Sequence, residues 1–155
     1  MSDNKWKKSE QPPPPMFFGE KVLETGIFLP AGKGKAAFTL RNDMAEATAN
    51  ILIEDGHINK SYNFSNSENP SIQELADILG SITGKSIKYV SPDQETYKKV
   101  LTEAGVPADY IGVFAGFAEA INQGELENHA GDLEKVLRRK PTSASEFLNK
   151  VYNKS

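Results

Sequence analysis

The chain has 155 residues, 38% apolar and 25% charged, which predicts one domain with an ordinary core and excludes wholesale disorder. Its net charge of −3 and isoelectric point near 5.5 argue against a dedicated nucleic-acid binder, because such proteins usually carry a basic surface. Cysteine is absent, which excludes disulfides, thiolate metal sites and cysteine nucleophiles. No apolar run reaches the roughly 18 residues of a membrane span, and the polar N-terminus lacks the apolar stretch of a signal peptide. We therefore expect a cytoplasmic protein that has neither nucleic acid nor membrane as a partner.

Residues 1–15 are predicted to form a disordered, proline-rich leader, because the run from Pro12 to Pro15 cannot donate backbone hydrogen bonds. A run of this kind can dock in an SH3-like groove. The alternative, which we favour, is a solvated tail or the scar of a gene rearrangement. The ordered domain is then expected over residues 16–155.

The first half of that domain predicts short strands between helices. A helix over 17–24, closed by Gly26, precedes two strand candidates at 27–29 and 36–40, which flank a loop over 30–35. A helix follows over 42–54, where Asn42 and Asp43 suit a helix start. Its stripe of Ala45, Ala49 and Leu52 is expected to pack on a sheet.

The second half predicts a strand–helix–strand unit followed by helices. Strands are expected at 61–65 and 86–90, around a helix that opens with a capping box of Ser71 and Glu74 and ends at Gly84. The order predicts a right-handed βαβ unit with parallel strands, and hence an α/β fold with a small parallel sheet flanked by helices. Further helices are predicted over 92–104, 110–121 and 132–139, and after a second capping box of Ser143 and Glu146. The apolar faces expected to pack inward are Ile72, Leu75, Leu79 and Ile82; Tyr110, Phe114, Phe117 and Ile121; and Phe147, Leu148 and Val151.

Several segments in this order carry a family resemblance. They are Phe-Phe-Gly-Glu at 17–20, Ala-Gly-Lys-Gly-Lys at 31–35, Leu-Arg-Asn-Asp-Met-Ala at 40–45, Tyr-Asn-Phe at 62–64, Gln-Glu-Leu-Ala at 73–76, Gly-Lys at 84–85, Ile-Lys-Tyr-Val at 87–90, Arg-Lys-Pro-Thr at 139–142 and Glu-Phe-Leu at 146–148. Together they resemble the C-terminal half of NmrA-like atypical short-chain dehydrogenases, in the branch of NAD(P)H-dependent quinone oxidoreductases and triphenylmethane reductases. The resemblance implies a partial Rossmann-like fold.

The cofactor-binding half of that family has no counterpart in the sequence. In the family a glycine-rich turn between a strand and a helix receives the NADPH pyrophosphate. The nearest match, Gly32-x-Gly34, lies between short strand candidates and is interpreted as a turn. We therefore expect this chain alone to bind no cofactor, and no catalytic residue is assigned. The tyrosine–lysine pair of short-chain dehydrogenases is also missing, since Tyr97 is followed directly by Lys98 and Lys99.

The family's substrate pocket lies between its two halves, and the resemblance implies which residues face it. Aromatic walls of this kind suit a small, flat aromatic ligand, although an aromatic stripe at helical spacing is also typical of a core. We expect a structural role for Asp43 near its helix start, and no metal site at His57 or His129. The residues implied on the substrate side are Phe17, Phe18, Ala31, Gly32, Lys35, Tyr110 and Phe114.

Three hypotheses about function follow. In the first, the chain is a truncated quinone-oxidoreductase-type protein, inactive alone, whose Rossmann half comes from a separate polypeptide. In the second it is a non-enzymatic module that binds a small molecule or a protein, with a homodimer as one form, because losing half the fold would expose apolar surface. In the third it is an incomplete gene product without a function.

Overall fold

The computed structural model describes residue 18 and residues 21–153, so the proline-rich leader and Phe17 lie outside the described residues. These residues form a helix-rich α/β fold with a two-stranded parallel sheet, which confirms the predicted fold class. No helix among them is long and apolar enough to cross a membrane. In chain order the elements are α1 (Val22–Thr25), β1 (Ile27–Phe28), α2 (Arg41–Ile53), α3 (Ile72–Thr83), β2 (Tyr89–Val90), α4 (Gln94–Glu103), α5 (Ala108–Asn122), α6 (Asp132–Leu137) and α7 (Ala144–Tyr152).

The sheet joins strands that are far apart in sequence. Ile27 pairs with Tyr89 and Phe28 with Val90, in parallel. The ladder continues on both sides, where the Ile27 N–H donates to the Lys88 carbonyl at 2.8 Å and the Leu29 N–H donates to the Val90 carbonyl at 3.1 Å. The parallel crossover therefore runs from β1 to β2 and encloses both α2 and α3.

Two predicted strands are wrong. Residues 61–65 lie outside any strand, since the side chains of Tyr62 and Phe64 pack against α2 and α6 while the local backbone makes a turn-like bond from the Ser65 N–H to the Asn63 carbonyl. Residues 36–40 also lie outside any strand, and the Phe38 N–H donates to the Ala36 carbonyl at 3.1 Å, which is a tight turn. A single antiparallel bridge joins the neighbouring Lys35 to Ser71. Both segments carry β-favouring side chains but have no neighbouring strand to pair with. Because a strand forms only when it is hydrogen-bonded to a neighbour, β-propensity alone does not produce one here.

The main core lies between α3, α7 and the sheet. The predicted inner face of α3 is confirmed: Ile72, Leu75 and Leu79 are buried, and Ile82 packs against them. Both capping boxes are present, at Ser71 with Glu74 and at Ser143 with Glu146. These caps satisfy helix N–H groups that would otherwise be unpaired, so they fix where α3 and α7 begin.

A second, smaller cluster joins α2 to α6. Ala47 packs with Leu133, Val136 and Leu137, and Tyr62 and Phe64 cover its edge. The predicted inner stripe of α2 is wrong, because Ala45 and Ala49 are exposed and Leu52 is 79% exposed. The buried side chains of α2 are those of Asp43 and Ala47, so the helix is rotated toward α6 relative to the prediction.

Candidate functional site

The loop that follows β1 is held against the carboxyl end of β2. The Tyr89 hydroxyl lies 3.0 Å from the Gly32 carbonyl oxygen and 3.2 Å from that of Leu29, and it donates to this pair. The Gly32 N–H donates to Ser91 Oγ at 2.9 Å, and the Gly34 N–H donates to the Ala31 carbonyl at 3.0 Å. Burial raises the pKa of Tyr89, so its hydroxyl keeps its proton and acts as a donor. In open α/β sheets, ligands bind at the carboxyl ends of strands, which makes this loop the first place to look for a site.

Glycine at two positions lets this loop approach α5. A β-carbon at Gly34 would collide with the backbone carbonyl of Ile121, and one at Gly32, where φ is +56°, would meet the Asn122 side chain. The loop thus lies directly on the C-terminal turn of α5. The next helix, α2, begins at Arg41, so Gly32 and Gly34 form a turn and do not open a helix.

The structure disperses the residues implied on the substrate side. Phe18 and Ala31 are buried in the main core, with 7% and 0% exposure, and Gly32 contributes backbone to the fixed loop. Lys35 is exposed. On α5, Tyr110 is 58% exposed and its ring centroid lies 6.3 Å from that of Phe114, which packs partly against the core. Their role in substrate binding stays a prediction, and within the described set Lys35 and Tyr110 are the ones whose side chains reach solvent freely.

Asp43 has the structural role expected, but through a different contact. Leu40 caps α2 without a side-chain bond, and the Asp43 carboxylate instead accepts from Arg139 Nη2 at 2.8 Å, from the Thr142 N–H at 2.7 Å and from Thr142 Oγ1 at 3.2 Å. Burial alone would raise its pKa, but the bonds from Arg139 and Thr142 outweigh burial and hold the pKa below its ordinary value. Asp43 is therefore a fixed anion that joins α2 to the segment after α6, with its oxygens already engaged.

The basic residues that follow α6, Arg138 and Arg139, are paired with carboxylates as well. Arg139 also donates to Glu46 at 2.6 Å, and these bonds with Glu46 and Asp43 raise its pKa. Arg138 donates to Glu54 at 2.6 Å. An open pocket of about 510 Å³ adjoins Arg138, Arg139 and Lys135, but all three cations are paired with carboxylates, Lys135 with Asp132 at 3.7 Å.

A second cavity, of about 410 Å³, lies where the two hydrophobic clusters meet. Phe38 and Phe117 come from the edge of the main core, and Phe64 comes from the smaller cluster. We call this cavity the Phe38 groove. Its lining residues are Ala36, Ala37, Phe38, Thr39, Phe64, Ser65, Phe117, Glu125, Leu126, Glu127 and Asn128.

The histidines form no metal site. His57 Nδ1 lies 2.7 Å from the Tyr62 hydroxyl and its Nε2 lies 3.8 Å from Glu54, while His129 lies 3.4 Å from the Asn69 amide. Across residues 18 and 21–153, no group of three or more histidine, cysteine, aspartate or glutamate side chains is placed to hold a metal ion.

Sequence reasoning missed the Phe38 groove. Its lining comes from four separate segments, and the side chain that organises it, Asn66, is polar yet only 3% exposed. The sequence signal is limited to the aromatic and hydroxyl residues at 61–65, a pattern that predicts a strand.

Comparison with known proteins shows that the chain is similar to part of several oxidoreductases. No protein-family model matches it. It is similar to the uncharacterized oxidoreductase YesF of Bacillus subtilis, at 30% identity over 80% of this chain and 43% of that protein. It is also similar to quinone oxidoreductase 2 of Escherichia coli, at 27% identity over 85% of this chain and 46% of that protein. An NmrA-like family domain-containing oxidoreductase of Aspergillus flavus is 29% identical over 88% of this chain and 45% of its own length.

Solved structures give the same result. The triphenylmethane reductase of Citrobacter sp. superposes with a TM-score of 0.81 at 31% identity, over 86% of this chain and 47% of that one. The NADPH-dependent quinone oxidoreductase of Escherichia coli superposes with a TM-score of 0.80 at 25% identity, over 86% of this chain and 49% of that one. The homologues and structural neighbours are thus NmrA-like oxidoreductases, quinone oxidoreductase and triphenylmethane reductase, which confirms the predicted resemblance. The chain spans slightly less than half the length of these relatives, which is consistent with a correspondence to their C-terminal part.

Proposed function

We propose that this chain is the substrate-side portion of an NAD(P)H-dependent quinone-oxidoreductase-type protein and that it does not reduce substrate alone. The observation that carries the proposal is the hydrogen bonding of the loop over 31–35, which resembles a phosphate-binding turn. Its Gly32 N–H donates to Ser91 and its Gly34 N–H donates to Ala31, and the next helix begins only at Arg41. A pyrophosphate needs free N–H groups at a helix start, so this loop does not fit the cofactor.

Two related structures were solved with the cofactor: the triphenylmethane reductase with NADP(H) and the quinone oxidoreductase with NADPH. We propose that a Rossmann unit outside these 155 residues, such as a separate Rossmann-bearing polypeptide, supplies the cofactor side in the cytoplasm. The present chain would supply walls for a flat aromatic substrate. The Tyr89 hydroxyl would not donate a proton to substrate at the loop, because it already donates to the Gly32 and Leu29 carbonyls.

The test is calorimetric titration of the purified full chain with NADPH, beside an assay of quinone reduction. We expect no binding in the micromolar range and no reduction. Micromolar binding accompanied by reduction of a quinone such as menadione would overturn the proposal.

The substrate-side role has its own measurement, quenching of intrinsic fluorescence by menadione. Tyr110→Ala should weaken menadione binding, because the Tyr110 ring is the exposed one among those implied residues that the structure describes. Val113→Ala is the matched control, since Val113 lies on the same helix with 64% exposure. Equal affinities of the two variants and the parent chain would contradict a substrate contact at Tyr110.

A second candidate function, a non-enzymatic binding module that dimerises, is favoured by one observation. Leu52, Ile53 and Ile58 are 79%, 81% and 86% exposed at the end of α2 and just beyond it. Apolar side chains grouped at a surface favour association. Analytical ultracentrifugation decides: a stable dimer that dissociates on Leu52→Lys, combined with no NADPH binding, would favour this function, and a monomer at all concentrations would exclude it.

A further inference from the structure

We propose that the Phe38 groove is a binding site for a planar aromatic amine that carries a positive charge. The groove shares no lining residue with the set implied on the substrate side. The proposal therefore holds whether or not the chain takes part in a reductase.

The size and lining of the groove suit a small planar ligand. Its volume of about 410 Å³ lies within the usual range of small-molecule sites. Phe38, Phe64 and Phe117 line it from separate segments. Phenylalanine rings offer flat apolar surface and no hydrogen-bonding group, so they favour aromatic ligands over sugars or nucleotide phosphates.

The charge of the lining residues favours a positively charged ligand. Among the lining residues described, the charged ones are Glu125 and Glu127, both carboxylates. A cation beside aromatic faces gains from the ring quadrupole as well as from the carboxylates, whereas an anion is repelled by both. The same lining therefore disfavours a quinone radical anion, a phosphate or a carboxylate.

A buried hydroxyl in the lining supplies a polar contact. Ser65 is 8% exposed, and its Oγ is buried without a hydrogen-bond partner among the described residues. Buried polar groups are nearly always paired, so an unpaired one at the wall of a cavity is a candidate for a bond to a ligand. Ser65 Oγ can accept a hydrogen bond from an amine N–H of the proposed ligand.

The walls of the groove are fixed before any ligand arrives. The Ala37 N–H donates to the Leu126 carbonyl at 2.9 Å, which joins the two sides. Asn66 Nδ2 donates to the Phe38 carbonyl at 3.1 Å and to the Thr142 carbonyl at 2.9 Å. The Asn66 N–H donates to Thr39 Oγ1 at 2.8 Å. A site built this way loses little conformational freedom on binding.

The first experiment compares two ring systems of similar size but opposite charge. Fluorescence titration of the full chain, without NADPH or quinone, should show binding of proflavine, a planar cationic amine, and little binding of 2-anthracenecarboxylate. The double variant E125Q/E127Q should weaken proflavine binding by about tenfold, because two nearby charges are removed. Glu95→Gln, which removes an exposed charge on α4, is the control and should leave the affinity unchanged. Equal binding of the cation and the anion, or an equal effect of the control, would overturn the proposal.

The second experiment tests the groove itself. Ser65→Ala should weaken proflavine binding several-fold while leaving thermal stability equal or higher, because it removes an unpaired buried hydroxyl. Ala37→Trp should fill the groove and abolish binding, with the far-ultraviolet spectrum confirming the fold. Undiminished proflavine binding by a folded Ala37→Trp chain would place the ligand elsewhere and overturn the proposal. Because neither experiment contains NADPH, failure here leaves the proposed reductase role unaffected.

Discussion

Asp43 at the start of α2 and Arg139 just after α6 meet at 2.8 Å, although 96 positions separate them in the sequence. The contact is reinforced by the Thr142 N–H, which donates to the other Asp43 oxygen at 2.7 Å. Asp43 is only 2% exposed, so its charge depends on these partners for compensation.

Removing the Asp43 carboxylate should be costly. We expect Asp43→Ala to lower the free energy of unfolding by about 3 kcal/mol, since Thr142 loses its acceptor and Arg139 loses its buried partner. Urea denaturation measures the change. Asp55→Ala, at an exposed position close to the end of α2, is the control. A loss no larger than that of the control would show that Asp43 is not a structural anion.

The Asp43 contact should also be sensitive to acid. The folded-state pKa of Asp43 lies below its unfolded value, so the carboxylate stabilises the fold above the unfolded pKa and loses that effect as the pH falls through the folded one. The difference in unfolding free energy between the parent chain and Asp43→Asn should therefore be constant near neutral pH and shrink below about pH 4. Urea titrations at several acid pH values test this. A constant difference down to the lowest pH would contradict the assignment.

Two glycine-to-alanine substitutions should have opposite effects. Gly34→Ala places a methyl group against the Ile121 carbonyl and should cost about 2–3 kcal/mol, because neither backbone can move freely. Gly112→Ala lies in α5 with no atom within 4 Å of the added carbon, and should gain up to about 1 kcal/mol from helix propensity. Thermal unfolding of the pair separates steric overlap from a general glycine effect. Similar shifts in both variants would contradict the close approach of the loop to α5.

Three tyrosines should ionise late in the folded protein. Burial raises the pKa of Tyr89, Tyr97 and Tyr152. Because the folded-state pKa is raised, each protonated hydroxyl stabilises the fold, and this contribution is fully present below the unfolded pKa near 10. The contribution is lost as the pH rises through the folded-state pKa. Ultraviolet difference spectroscopy should show these phenolate signals appearing only as the chain unfolds in alkali. Tyr89→Phe and Tyr97→Phe should each remove one late-ionising group; a full tyrosine signal before unfolding would contradict the burial.

The sequence predicted the features that depend on neighbouring residues. Ser71 with Glu74 and Ser143 with Glu146 are capping boxes whose bonds lie within one turn, and both formed as expected. The inner face of α3 was predicted for the same reason, since Ile72, Leu75 and Leu79 alone give the helix an apolar side.

Features set by distant partners were not predictable. Asp43 is buried because Arg139 compensates its charge, and no residue within α2 indicates that distant partner. The α2 sequence alone therefore favours the stripe that ends at Leu52 as the inner face. Residues 61–65 carry β-favouring side chains, but the strand that pairs with β2 is β1. In the candidate site, the family resemblance predicts the loop over 31–35. The hydrogen bonds of this loop to Tyr89 and Ser91, and the Phe38 groove, are formed by segments far apart in sequence, so only the folded structure reveals them.

The long-range contacts interleave along the chain. The ladder from Ile27 to Tyr89 closes one loop, and the bond from Asp43 to Arg139 closes another that begins inside the first and ends beyond it. Opening either contact lengthens the segment that the other must close, and the entropy of closure rises with that length. Unfolding one hydrophobic cluster therefore destabilises the other, so the domain should unfold in a single cooperative transition.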